Sequence, residues 1–252
     1  MAGRADGLYP PLSVPKPLGQ EIWVVDGPAI RFYGMPFPTR MCVVRLPSGG
    51  LWLHSPVRPD EDLIARIETL GPVAHLVAPN ALHYAFLPAW AARFPEAAVH
   101  AAPGAAERAA RHGVGFPDHA PLGPRAPEAW RGTIRQRLVP GHPFLKEAIF
   151  FHRPSRTLIL TDLIEAFEPA RLGPVMKLAT WIGGIRSPGG TPRDARLTWT
   201  DTAAAAPVLR EALSWAPDRV IMAHGAPIET DVTARLRQAF VWALGPDADA
   251  RA

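Results

Sequence analysis

Short apolar runs alternate with amphipathic stretches over most of the chain, and no other feature of the sequence restricts its fold so strongly. Val73 to Ala78 is a run with strand character. Before it, Pro59 and Asp60 open a segment in which Leu63, Ile64, Ile67 and Leu70 fall at i, i+1, i+4 and i+7, one stripe of a helix. Gly71 stops that helix and Pro72 prevents its continuation. After it, residues 84–94 read as a helix, Ala97 to Ala101 as a strand and Ala105 to His112 as a helix ending at Gly113. Strand–helix pairs of this kind predict βαβ units, hence a sheet covered by helices.

The rest of the chain follows the same style. Glu21 to Val25, Thr39 to Leu46 and Gly50 to Leu53 read as strands, the last two joined by the turn Pro47-Ser48-Gly49-Gly50. Residues 113–131 read as loop. Thr133 to Val139 is a strand, and Ala148 to His152 with Leu158 to Thr161 forms a hairpin around Arg153-Pro154-Ser155-Arg156. Residues 170–182 read as a helix and 184–196 as an irregular excursion. Ala203 to Trp215 is a helix, Arg219 to Ala223 a strand and Asp231 to Leu244 a final helix. Each half runs strands first and strand–helix pairs second, a pattern compatible with two sheets packed face to face inside two helical layers.

Composition bounds the function classes. A chain of 252 residues suits one large domain or two small ones. The expected organisation is an extended, proline-rich segment over 1–20, a domain over 21–246 and a disordered tail over 247–252. The 30 prolines are scattered, which predicts many fixed loops rather than one linker. The net charge is +4, carried by dispersed arginines with no basic run interleaved with aromatics, so no nucleic-acid partner is expected. No apolar stretch reaches the roughly 18 residues that span a bilayer, so no membrane partner is expected. Residues 1–7 lack the apolar core of a signal peptide, and the single cysteine, Cys42, excludes an internal disulfide. Together these point to the cytoplasm. Cys42 lies in an apolar run and reads as a small buried hydrophobe.

Chemistry concentrates where strands end, the places at which α/β proteins build sites. Val139-Pro140-Gly141-His142-Pro143 follows one strand, Leu160-Thr161-Asp162 closes a second, and Ala223-His224-Gly225 closes a third. Imidazole nitrogen and carboxylate oxygen both suit zinc or iron, so His142, Asp162 and His224 form a candidate set for one divalent ion. His75 and His100 read as ordinary sheet residues, and His112 lies at a helix end. Gly183-Gly184 and Gly189-Gly190 are not followed by the helix and lysine of a phosphate loop, so no nucleotide cofactor is expected.

The series Pro140-Gly141-His142, Thr161-Asp162 and Ala223-His224-Gly225 resembles the metallo-β-lactamase superfamily, over roughly residues 20–245. More narrowly, Pro79-Asn80-Ala81-Leu82-His83, the run Phe150-Phe151-His152-Arg153-Pro154-Ser155-Arg156-Thr157-Leu158 and Thr161-Asp162-Leu163 resemble a bacterial subfamily of that fold with no assigned function. The resemblance implies a four-layer αββα sandwich, two mixed sheets covered by helices. The chain departs from the superfamily at the His-x-His-x-Asp-His signature after strand 73–78, where it carries Ala78-Pro79-Asn80-Ala81-Leu82-His83-Tyr84. One register puts His83 at the aspartate and Tyr84 at the last histidine; another puts Asn80 at the first histidine. Either way at least two strong ligands are missing, since proline and alanine side chains cannot coordinate and asparagine does so poorly. His54 likewise stands where an acid would support the site.

What the resemblance then implies is a reduced site. One zinc or iron ion is expected on His142, Asp162 and His224, with His83 as a fourth ligand or general base, Asp162 in the chemistry, and Tyr84 as a donor to substrate. The function expected is metal-dependent hydrolysis of a small molecule. The alternative is a non-catalytic small-ligand-binding protein that has kept the fold and lost the metal.

Overall fold

The computed structural model describes residues 7–32 and 34–246; the tail expected over 247–252 and the first part of the N-terminal segment lie outside the described residues. Among the described residues, eleven strands form two mixed sheets. The larger contains β1 (Lys16–Gly19), β2 (Ile22–Phe32), β3 (Met35–Arg45), β4 (Leu51–His54), β5 (Val73–Ala78), β6 (Ala98–Ala101) and β7 (Ala120–Pro121), in that order across the sheet. Pairing is antiparallel from β1 to β4 and parallel from β4 to β7. The smaller contains β8 (Ile134–Leu138), β9 (Ala148–His152), β10 (Thr157–Ile159) and β11 (Arg219–Ile221), with β10 and β11 parallel and the other pairs antiparallel.

Period-2 alternation decides which core each side chain enters. Ile22, Val24, Cys42, Val44, Trp52 and Val77 of the larger sheet meet Phe150, Ile159 and Ile221 of the smaller one in a core between the sheets. Their neighbours Met41, Val43, Leu51, Leu53 and Leu76 point the other way. There they meet three helices, α1 (Glu61–Leu70), α2 (Leu87–Arg93) and α3 (Ala105–Arg111), through Leu63, Ile67, Leu87, Trp90 and Ala105. Asp60 caps α1 by accepting from Leu63 N at 2.8 Å. On the far side of the smaller sheet, Ile149, Phe151, Leu158, Leu160 and Val220 bury against later helices through Leu209, Leu236 and Phe240. After α4 (Glu128–Arg131), α5 (Pro174–Gly183) and α6 (Arg193–Thr198), these are α7 (Thr202–Ser214) and α8 (Val232–Leu244). The result is the four-layer order helices, sheet, sheet, helices. Strands buried on both faces explain why so many read as unbroken apolar runs.

Three expectations need correction. Residues 113–131 are not all loop: Ala120–Pro121 adds a short edge strand and Glu128–Arg131 a helical turn. The excursion over 184–196 runs into α6, which begins at Arg193 behind Pro192. The first hairpin is much longer than Glu21–Val25 and Thr39–Leu46, reaching Phe32 and Met35. Prolines 36 and 38 hid it. They are tolerated because β4 pairs only with residues 42–45 of β3, so the outer part of β3 has β2 as its sole neighbour. Cys42 is buried between the sheets, and burial pushes its thiol up. Among the described residues, no helix is long and apolar enough to cross a membrane.

A buried arginine ties the sheets together at one rim. Arg40 of β3 bonds Asp26 of β2 through Nε at 2.8 Å, and its Nη1 donates to the carbonyls of Met222 and Gly225 beyond β11. Asp26 also pairs with Lys16 at 2.5 Å. Replacing Arg40 by leucine leaves a buried carboxylate and two carbonyls short of a donor. The expected loss is about 3 kcal/mol in urea unfolding, with the double variant Arg40→Leu/Asp26→Leu recovering part of it.

Candidate metal centre

The parallel pairs β4–β5 and β10–β11 end at one rim of the sandwich, and the polar segments that follow them converge there. Three side chains meet. The Nε2 atoms of His83 and His224 lie 3.1 and 3.2 Å from Oδ1 of Asp162. One ligand atom from each residue lies within 4.8 Å of the others. His83 comes from the loop after β5, Asp162 from the turn after β10 and His224 from the segment after β11. All three are at most slightly exposed.

The surroundings fix each ring. Pro38 O accepts from Nδ1 of His224 at 2.8 Å, so Nδ1 carries a proton. The His224 ring is braced edge-on by Phe37 at 5.3 Å between centroids. His83 Nδ1 bonds Ser55 Oγ at 2.7 Å. Ser55 holds a left-handed backbone, φ 53°, just past the end of β4, a conformation that a non-glycine residue adopts only where its surroundings impose it. Gly225 allows the chain to turn directly after His224, because a Cβ there would be driven into the Ala166 carbonyl.

Asn80 and Glu147 build the floor. Nδ2 of Asn80 lies 2.7 Å from Asp162 Oδ2, 2.9 Å from Thr161 Oγ1 and 3.1 Å from Glu147 Oε2. Its Oδ1 accepts from the backbone N–H of Leu82 and His83, which shapes the loop that delivers His83. Glu147 is wholly buried and receives the N–H groups of Thr161, Asp162 and Leu163 at 2.8 to 3.1 Å. Burial and the Asp162 charge raise its carboxyl, while these backbone donors favour the ionised form. Burial also works against a charge on Asp162, yet the His83 and His224 rings outweigh it and hold the Asp162 carboxyl far below the usual range. Burial likewise opposes protonation of His83, and the Asp162 carboxylate reverses that, raising it.

Of the residues singled out in the sequence, His83, Asp162 and His224 are brought together. His142 stands apart from that trio. Its Nδ1 accepts from the backbone N–H of Phe144 and Leu145 at 3.1 and 2.6 Å, so Nε2 carries the proton and donates to Thr198 Oγ1 at 3.0 Å. Both ring nitrogens are committed, and burial lowers its basicity. Gly141 before it has φ +90°, and a Cβ there would strike the Asp201 carbonyl. Tyr84 packs into the core beneath α1 and α2 with one side on the cavity above the trio. His54 is buried between Trp52 and Phe150, and burial with the neighbouring His83 pushes its pKa down to about 3, so it is a neutral ring and no substitute for an acid. His75 and His100 pair with each other at 3.3 Å beside Trp130.

Sequence reading missed Glu147, Ser55 and Glu165. A lone acid inside or against an apolar run was the signal for two of them, Glu147 before Ala148-Ile149-Phe150 and Glu165 within Leu163-Ile164-Glu165-Ala166-Phe167. Glu165 lines the cavity, and its Oε2 has no partner among the described residues. Burial pushes its carboxyl up to about 8.

Residues 19–180 match the model of a family described as a domain of unknown function, DUF4336. No curated protein matches the sequence significantly. Solved structures are similar in fold. A metallo-β-lactamase from Pontibacter korlensis is 14% identical with a TM-score of 0.61, covering 90% of this chain and 97% of that one. One from Erythrobacter litoralis, with β-mercaptoethanol in the active site, is 16% identical with a TM-score of 0.62 over 90% and 95% of the two chains. FIM-1 from Pseudomonas aeruginosa in the mono-zinc form is 13% identical with a TM-score of 0.62 over 92% and 96%. The fold is therefore that of the metallo-β-lactamases.

The raised Glu165 carboxyl has a consequence for stability. The folded chain holds this proton up to about pH 8, whereas the unfolded chain releases it near 4.5. The stability it contributes is complete below pH 4.5 and is lost as pH rises through 8. In chelator-treated protein, Glu165→Gln removes this dependence. Its melting temperature should exceed that of the wild type by a margin that widens between pH 5 and 8, at no more than ~1.4 kcal/mol per pH unit. A constant margin would show that Glu165 is ionised throughout.

Proposed function

The chain belongs to the DUF4336 family, and we propose that it is a metal-dependent hydrolase working on a single divalent ion held by His83, Asp162 and His224. One observation carries this reading. Pro38 O takes the Nδ1 proton of His224, so Nε2 is the nitrogen that faces the Asp162 carboxylate 3.2 Å away. Two lone pairs repel at that separation unless a proton or a metal cation lies between them. Histidine ligands commonly give their other N–H to a carbonyl in this way, which fixes tautomer and orientation. The spacing agrees too: ligand atoms bound at 2.0–2.1 Å in a tetrahedron lie ~3.3 Å apart, near the 3.1 and 3.2 Å found here.

A zinc or iron ion there would polarise a substrate carbonyl and acidify water. The chain's own residues do the rest. Asn80 and Glu147 hold Asp162 in place, Ser55 and Pro38 hold the two rings, and the apolar cavity above them limits competing water. The neutral Glu165 carboxyl, facing that cavity, would supply a proton to a leaving group. Three protein ligands leave a position open, as catalytic zinc sites do. The small ion count fits the loss of ligands between Ala78 and Tyr84.

Metal analysis of untagged protein purified without chelator should find about one ion per chain. Asp162→Ala and His224→Ala should abolish it, and His142→Ala should leave it unchanged. Zinc at 100 times its dissociation constant should stabilise the chelator-treated protein by about 2.7 kcal/mol. Neither retained metal nor a shift with saturating zinc, iron or manganese would instead identify a non-catalytic ligand-binding protein.

A further inference from the structure

The cavity above the trio encloses about 1110 Å³, at or beyond the upper end of the ~300–1,000 Å³ usual for small-molecule sites. Its lining is predominantly apolar. His83, Asp162, His224 and Glu165 form its polar floor. The walls are apolar and come from separate elements: Ile30 and Phe37 from the β2–β3 hairpin, Phe86 from the loop before α2, and Met176 from α5. The lip is mixed: Arg31, His112, Arg193 and Asp194 are exposed there, and large apolar side chains stand among them. Ile182 of α5 and Leu197 of α6 line the cavity although they are 55% and 87% exposed. A site for a compact polar molecule would gain nothing from apolar side chains held in water at its entrance, because their exposure is unfavourable.

We propose that this cavity binds the long apolar chain of an amphiphilic substrate, with its hydrolysable polar group against the histidine–aspartate floor and the chain running out toward Ile182 and Leu197. The hydrolysis rests on the function proposed above; the binding of the chain does not. The size of the cavity, the apolar walls and the exposed apolar side chains at the lip are each accounted for by such a ligand. The long β2–β3 hairpin acquires a use as well. Its outer part has only one strand neighbour and closes one side of the chamber instead of extending a sheet. The satellite cluster of Phe167, Leu172, Met176 and Ile185 packs Met35 and Phe37 against α5, so the hairpin wall and the helix wall are joined behind the cavity.

The test uses straight-chain alkanols from hexanol to decanol, titrated calorimetrically into the chelator-treated full chain. Affinity should rise about fourfold per added methylene, the factor given by ~0.8 kcal/mol of transfer free energy. Ala179→Trp places a large ring in the cavity from a half-buried helix position and should weaken decanol binding at least tenfold, with metal stoichiometry unchanged. An affinity flat across the series, or a decanol affinity unaffected by Ala179→Trp, overturns the proposal. Chain-length dependence in a protein that takes up no metal would sink the hydrolase reading and leave the chain-binding site standing. Metal uptake with no chain-length dependence would do the reverse.

Discussion

Behind the trio a second carboxylate, Glu147, is wholly buried against the turn that carries Asp162. Glu147 spends its oxygens on the N–H groups of three consecutive residues, Thr161, Asp162 and Leu163. Those residues leave the end of β10, and without acceptors their amides would be buried and unpaired. The bonds curl the backbone there and aim Asp162 at the rim. Asn80 then spans the gap, bonding Glu147, Thr161 and Asp162 with its amide nitrogen and the Leu82 and His83 amides with its oxygen. One acid and one amide thereby position two members of the trio from strands in different sheets.

The same arrangement gives the segment after β5 its part in the site. Asn80 works there as a brace. His83, a few residues later, reaches Asp162 and leans on Ser55. His54 cannot serve as an acid, so its part is packing between the sheets. The Asp162 carboxylate is met by the two imidazole rings and the Asn80 amide, and Glu147 by backbone N–H groups and the same amide. Burial, with the neighbouring carboxylates adding to it, raises Glu165 so that it keeps its proton.

Much of this was legible without coordinates, and the reasons are specific. Strands buried on both faces show as unbroken apolar runs, so β5 was delimited to the residue. Asp60, Gly71 and Pro72 bracketed α1 through cap chemistry that is local by nature. The prolines of β3 misled because tolerance for proline depends on whether a neighbouring strand needs the missing N–H, which is a property of the sheet. Asp162 and His224 announced themselves by closing apolar strands. His142 did so equally, yet its ring turned back on to the amides of Phe144 and Leu145, and strand-end position alone cannot distinguish those outcomes.

Local periodicity and turn chemistry thus located most of the elements and their order, because these are written in neighbouring residues, while the four-layer class was what the resemblance implied. The tertiary structure alone decided which polar ends meet. Glu147 is 14 residues from Thr161 and 67 from Asn80 in sequence, and His224 is braced by a carbonyl 186 residues away. Contacts of that range follow from how two twisted sheets stack and where their rims coincide. They also set the electrostatics, since the proton affinities of Asp162, His83 and Glu165 depend on burial and on charges brought in from elsewhere in the chain.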